Sequence, residues 1–408
     1  MINPDSRPKP NILFFAPADP DWQEKGSQQR THRIHRVLQT LGEVYTIIPV
    51  FASAQEGIDP VRKVARVCAE RRGSLRWWMR NLAQRVVPEI QMPCSVPLRR
   101  PSEWADVRFD AVVSRYLTLT GYFQTWLWGP SFVDLDDTPW EILSTADHTG
   151  AGKWLARLKV ALMHKWAVSV FRHVRHVWVV RPDQVREVEG CPSVSVLPNL
   201  ARPPAREPDP RARQERFFLT VGVLDHPPNH RGIDSFLVRH WPAISSAYPG
   251  WEYLVAGKNC PPAFARKWQR IPGVRLLGWV DDLDDLYSRA HAVFAPIESG
   301  SGSCIKVLEA LLQARACLGP TFAMRAVPPE ECIPRNGIFQ CNSTEDYLAA
   351  LAILQDDRTR QGIQESARRF VQQNWSEKAF AEEIRTTIVS SICHSSSPGD
   401  GNARRNRI

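Results

Sequence analysis

Short, almost wholly apolar runs alternate along this chain with longer stretches whose apolar residues recur every three or four positions. The alternation occurs twice. In the first half, "NILFFAP", "VYTIIPV", "FDAVVSR", "SFVDLDD", "HVWVV" and "SVSVLPN" predict buried strands, with helices between them over 28–42, 60–86 and 152–173. A proline-rich segment of mixed charge, "LARPPAREPDPRARQER", interrupts the pattern and predicts a linker. The alternation then resumes with "FFLTVGV", "WEYLVAG", "GVRLLG", "HAVFAPI" and "ACLGPT". Helices are predicted at about 231–247, 261–269, 281–290 and 304–314, and a last one over 376–390. Strands that are apolar on both faces and separated by helices belong to parallel α/β layers. The expected fold class is therefore α/β, with two Rossmann-like doubly wound domains and ligands at the strand C-terminal ends facing the cleft between them. The expected division is 10–203, a linker over 204–216, 217–375, a helix over 376–390 returning to the first domain, and a disordered tail over 391–408.

Composition narrows the function classes. A length of 408 residues exceeds one ordinary core. Hydrophobic content of 43% with 23% charge describes a soluble globular protein, and no run of about 18 apolar residues predicts a membrane span. The N-terminus lacks the apolar core of a secretory signal. Nine cysteines, dispersed and without a CxxC, suit a reducing cytoplasm and neither a disulfide framework nor a structural zinc. The net charge of +9 is uneven. Residues 61–87 hold eight Lys/Arg against Glu70 alone, and 148–182 hold seven with no acid. Such faces attract anionic partners. Leu75, Trp78, Leu82 and Val86 recur at helical spacing among arginines, so 61–87 suits either an anionic membrane surface or an ordinary domain helix. For "KWLARLKVALMHKWAVSVF" the domain helix is the favoured reading. No nucleic-acid recognition motif accompanies these charges.

One stretch carries candidate chemistry: "IESGSGSCIKVLEALLQA", residues 297–314. A strand runs into a Gly/Ser loop and then into an apolar helix with Lys306 in its first turn. A cation there faces the positive end of the helix dipole, which costs a few tenths of a kcal/mol or more. A bound diphosphate would turn Lys306 into a counter-charge. Gly300 and Gly302 can take positive φ and let backbone N–H groups approach the anion. Glu309, one turn on, could accept hydrogen bonds from a ribose diol. The stretch is neither a Walker A loop nor a GxGxxG fingerprint. The residues alone leave equally open a flexible strand-to-helix turn with a solvated Lys/Glu pair.

"APIESGSGSCIKVLEALLQARACLGP" resembles the donor-site signature of family 4 retaining glycosyltransferases of the GT-B fold, in the branch with a Gly-x-Gly-x-x-x-Lys-x-x-Glu-Ala loop. "FFLTVGVLDHPPNHRGIDSFLVRHWPAI", "WEYLVAGKNCPP" and "GVRLLGWVDDLDDLYSRAHAVFAP" match the same branch upstream and in order, so the resemblance covers about 217–330. More loosely, "ILFFAPADPDWQEKGSQQRTHRI" is similar to the first strand and glycine-containing acceptor loop, with Gly26, Ser27 and Arg30 in the corresponding places.

The resemblance implies a retaining glycosyltransferase that moves a sugar from a nucleoside-diphosphate sugar to a polysaccharide, lipid-linked or other glycan acceptor. No metal or cofactor is implied. Gly26, Gly300, Gly302 and Lys306 would bind the diphosphate and Glu309 the ribose. Ser301 occupies the place of the first acid of the E-x7-E pair, where it can bond a sugar hydroxyl but supplies no charge. Asn229 and Arg231 are candidate donor contacts, with a helix cap for Asn229 and a solvated residue for Arg231 as the ordinary alternatives. Asp136 and Asp137 stand where many members carry a histidine beside the sugar. Lys306, the helix dipole and Arg231 would stabilise the departing diphosphate. The expected location is the cytoplasm, peripheral to the inner membrane surface. A nucleotide-sugar epimerase and a non-catalytic nucleotide- or glycan-binding module remain alternatives.

Overall fold

The structure is a computed structural model that describes residues 9–22, 26–51, 56–70, 100–136, 138, 140–141, 151–209, 214–300 and 302–395. The chain divides into two compact units, with residues 1–144, 148–197 and 378–408 in the first and 145–147 and 198–377 in the second.

The first unit is built on eight strands: β1 (Asn11–Phe15), β2 (Glu43–Phe51), β3 (Gly57–Asp59), β4 (Val64–Glu70), β5 (Ala111–Arg115), β6 (Ser131–Leu135), β7 (His176–Val179) and β8 (Val194–Val196). Their order is β3-β4-β2-β1-β5-β6-β7-β8. Every neighbouring pair is parallel except β3 with β4. The apolar runs read from the sequence lie in its centre: Ile12 to Phe15 and Val112 to Val113 are fully buried. Helices α1 (Gly26–Leu41), α2 (Leu117–Phe123) and α3 (Ala151–Phe171) are inserted between strands. The chain winds outward from β1, then returns to place β5 beside it, so β1 and β5 flank the switch point where ligands gather in such sheets.

The second unit repeats the plan with six strands: β9 (Phe217–Val221), β10 (Glu252–Ala256), β11 (Val274–Gly278), β12 (Ala292–Phe294), β13 (Cys317–Gly319) and β14 (Ile338–Gln340). The order is β11-β10-β9-β12-β13-β14, all parallel. One apolar layer, with Leu219, Val293 and Leu308, covers one face, and another, with Phe218, Tyr253 and Phe294, covers the other. The helices are α4 (Pro227–Arg239), α5 (Trp241–Ala247), α6 (Pro262–Trp268), α7 (Leu283–Arg289), α8 (Ile305–Leu312), α9 (Thr321–Met324), α10 (Thr344–Gln355) and α11 (Asp357–Asn374). The switch point here lies between β9 and β12.

The last helix, α12 (Glu377–Ser395), packs on the first unit as the sequence predicted. Arg30 of α1 lies over the Phe380 ring at 5.6 Å, and Arg385 donates to Thr40 of α1 at 3.3 Å.

Three expectations change. The helix predicted over 60–86 begins instead as a turn and strand β4. Asp59 Oδ1 accepts from the N–H groups of Val61 and Arg62 at 3.1 and 3.0 Å, an Asx turn that reverses the chain into β4. β-Branched Val64 and Val67 then pair beside β2. The basic charges of this stretch are also engaged: Arg62 and Arg66 pair with Asp19, and Lys63 with Glu43. The amphipathic helix predicted around Trp78 lies outside the described residues. The tail expected to be disordered from 391 is helical through Ser395, and its remainder lies outside the described residues. Finally, α10, α11 and β14 were not legible in the sequence. Among the described residues, no helix is long and apolar enough to cross a membrane.

Candidate active site

The second unit's switch point brings two helix N-termini together. α4 opens after the loop that follows β9, and α8 opens after the Gly/Ser loop that follows β12. Both helices begin at Pro227 and Ile305 with no acid in the first turn, so the positive ends of both dipoles stand unneutralised by their own side chains. Gly300 and Gly302 adopt φ of 121° and 70°, a region that side-chain-bearing residues avoid. Pro228 of α4 lies so close that a Cβ on Gly300 would come within 3.2 Å of its ring.

Lys306, the second residue of α8, donates from Nζ to Asn229 Oδ1 at 2.6 Å. Asn229 donates in turn to the Val223 carbonyl at 2.7 Å, which fixes its amide with the oxygen toward the lysine. Asn229 is thus no helix cap: it lies inside α4 and ties that helix to α8. Gly222, after β9, faces the pair, and a Cβ there would meet Asn229 Nδ2 at 3.2 Å and Lys306 Nζ at 3.4 Å. His226, just before α4, joins the cluster, its pKa lowered by partial desolvation and then by the Lys306 charge. Arg325 donates to the Gly300 carbonyl at 2.9 Å and lies over the Phe322 ring at 3.8 Å. Asn199 donates to Ser303 Oγ at 3.0 Å.

Glu309 is half-buried one turn behind Lys306 on α8. Burial, with the Glu309 carboxylate adding to it, pushes the Tyr287 phenol well above its ordinary pKa. Gln313, one turn beyond Glu309, is spent on structure, donating to Asp284 at 2.6 Å. Arg231 is exposed on α4 and makes no ion pair among the described residues. Ser301 lies outside the described residues. Glu298, the nearest acid before it, pairs with Arg239 and accepts from Ser235 at 3.3 Å, so it is not a substitute for the missing acid.

The first unit holds a buried charge cluster at its own switch point. Asp134, fully buried in β6, accepts from Arg30 Nε at 3.0 Å and Nη2 at 2.5 Å, and from Arg115. Arg30 also donates to the Leu197 carbonyl at 2.9 Å. Its side chain is therefore a buried structural fork, which differs from the acceptor-loop role the sequence suggested. Arg115, at the end of β5, reaches Asp136 at 3.0 Å, Thr31 at 3.0 Å and the Ser27 carbonyl at 3.2 Å. Burial opposes the Arg115 charge, yet Asp134 and Asp136 outweigh it and raise its pKa. The next residue, Tyr116, sits at φ 68°, strained backbone worth about 1–3 kcal/mol for a side-chain-bearing residue. Gly26 and Ser27 open α1. Asp137 lies outside the described residues.

The sequence reading passed over Arg115, Asp134, His226, Arg325 and Gly222. For the first two a signal existed: a lone charge inside a run of buried β residues must find an opposite partner. No such signal marks Arg325 or Gly222, which matter through position in space.

Residues 215–357 match the family model described as "Glycosyl transferases group 1". The match spans β9 to α10 of the second unit. The fold of the chain is GT-B, shown by solved structures of low identity. The chain is similar to sucrose-phosphate synthase from Thermosynechococcus elongatus, with a TM-score of 0.66 at 14% identity over 95% of this chain and 100% of that one. Anabaena HepE in complex with UDP and glucose gives 0.60 at 14% over 93% and 99%. An α,α-trehalose-phosphate synthase (UDP-forming) from Burkholderia vietnamiensis gives 0.60 at 9% over 96% and 99%. Among curated proteins, none matches this sequence closely enough to count as a relative. Among the described residues, no group of three His, Cys, Asp or Glu is placed to hold a metal ion.

Proposed function

We propose that the protein is a glycosyltransferase that moves a sugar, with retention and without a metal, from a nucleoside-diphosphate sugar to a polysaccharide or lipid-linked glycan acceptor. The observation that carries the donor half is the Lys306–Asn229 contact where α4 and α8 converge. Gly300, Gly302 and Lys306 hold the diphosphate, helped by the backbone N–H groups of both helix ends, and Gly26 is a further diphosphate contact. Glu309 accepts the ribose diol. Ser301 contacts the sugar, and Arg231 turns toward the diphosphate when donor is bound. As the glycosidic bond breaks, charge grows on the departing diphosphate, and Lys306 with the two dipoles stabilises it. Asp136, held at 3.0 Å by Arg115, orients the acceptor hydroxyl, with Asp137 beside it in sequence. Ser27 contributes to the acceptor loop. Uracil is the favoured base, supported by the UDP bound to the structurally similar HepE.

The experiment is incubation with UDP-, GDP-, ADP- and dTDP-sugars, following nucleotide release without acceptor. Slow hydrolysis of one donor is expected, lost in Lys306→Ala. No release from any donor, together with no binding of any nucleotide, contradicts the reading.

A further inference from the structure

Helix α3 presents two opposed faces. Inward, Ala156, Ala167, Val170 and Phe171 are buried, the last three against Val133 and Val177 of the sheet. Outward, Trp154, Leu158 and Leu162 are 70%, 41% and 51% exposed. Successive intervals of four residues bring these three onto one stripe, about 12 Å long at 1.5 Å per residue. A helix on the surface of a globular domain ordinarily turns polar residues outward. Single exposed apolar residues need no explanation, but a row headed by an indole does.

Charge tells what would cover the row. Lys165 continues the stripe one turn beyond Leu162, and Arg157 flanks it, both exposed. No acid occurs from residue 148 to residue 182. An exposed indole, two leucines and flanking cations on one face of a helix whose own sequence carries no acid match a membrane interface. There the apolar side chains enter the acyl boundary and the cations meet lipid phosphates. The other basic stretch, at 62–66, is already neutralised within the unit by Asp19 and Glu43.

We propose that α3 docks the protein on an anionic phospholipid surface, inserting Trp154, Leu158 and Leu162 and setting Arg157 and Lys165 against headgroup phosphates. The inference goes beyond the donor-site reading and does not depend on it.

The test is co-sedimentation of the full chain with vesicles of phosphatidylcholine, alone or with about 30 mol% phosphatidylglycerol, at about 50 mM and about 500 mM salt. Binding to the anionic vesicles is expected, at least about tenfold weaker on neutral ones and weaker at high salt. Trp154→Ser/Leu158→Ser and Arg157→Gln/Lys165→Gln should each lower partitioning at least about tenfold. All four side chains are exposed, so the thermal shift given by nucleotide should be kept in both variants, which separates failure here from failure of the donor site. Unchanged vesicle binding in both variants overturns the proposal, as does absence of binding by the wild type. A wild-type dimer that the Trp154→Ser/Leu158→Ser change converts to monomer, with no preference for anionic vesicles, also overturns it and assigns the face to a second copy.

Discussion

Lys306 Nζ and Asn229 Oδ1 lie 2.6 Å apart, joining the first turn of the helix after β12 to the first turn of the helix after β9. A neutral amide oxygen does not cancel a full charge. The lysine therefore faces two positive helix ends in the free protein, an arrangement that makes sense only with an anion present. Lys306→Met should leave the free protein unchanged or more stable by a few tenths of a kcal/mol in urea melts. A lysine kept for structure would show a loss on substitution.

Glu309 is predicted to recognise the ribose diol through charge-assisted hydrogen bonds. Wild-type protein should bind UDP about tenfold more tightly than 2′-deoxy-UDP, the value of one such bond. Glu309→Ala should weaken UDP and abolish the difference between the two nucleotides. Calorimetric titration of both ligands against both proteins gives the coupling directly.

Asp134 is the shared anion of two buried arginines, Arg30 and Arg115. Removing it takes the shared carboxylate from both, with Asp136 still beside Arg115, so Asp134→Ala should cost about 3–5 kcal/mol in urea denaturation. Arg115→Ala should be nearly as costly, and because Arg115 holds Asp136, it should also lower turnover in the fraction that stays folded.

Two buried histidines set an acid limit. Burial lowers His35 to about 4, and it lowers His176 to about 4 against the opposing pull of Glu383. The unfolded chain takes up these protons first as pH falls. Stability from both is therefore complete above the ordinary value of 6.5 and is lost between 6.5 and about 4. Each group accounts for at most on the order of 3 kcal/mol. Urea melts across that window should steepen with acid, and His176→Gln, which can still bond Ser193 and Ser195, should flatten the slope.

The strands were legible because parallel sheets bury both faces, and runs such as "NILFF" and "FFLTV" admit little else. Lys306 and Glu309 could be singled out in the sequence because their spacing on one helix is local. What escaped was decided across the sequence. β4 reads as a helix until the edge of β2 is available to it, and the short "IFQ" of β14 gains its identity only beside β13. Asn229 read equally well as a cap, because nothing local says that a lysine 77 residues on will claim its oxygen. Arg115 and Asp134 each broke an apolar run, but their pairing required the sheet order.

The central claim is that the Gly300–Lys306 loop binds a diphosphate, and the most direct measurement is calorimetric titration with uridine, UMP and UDP. Wild-type protein should bind UDP at least about tenfold more tightly than UMP, since the second phosphate would meet Lys306 and the helix ends. Lys306→Ala should bring UDP close to UMP. Equal binding of UMP and UDP by the wild type, or undiminished UDP affinity in Lys306→Ala, would contradict the account.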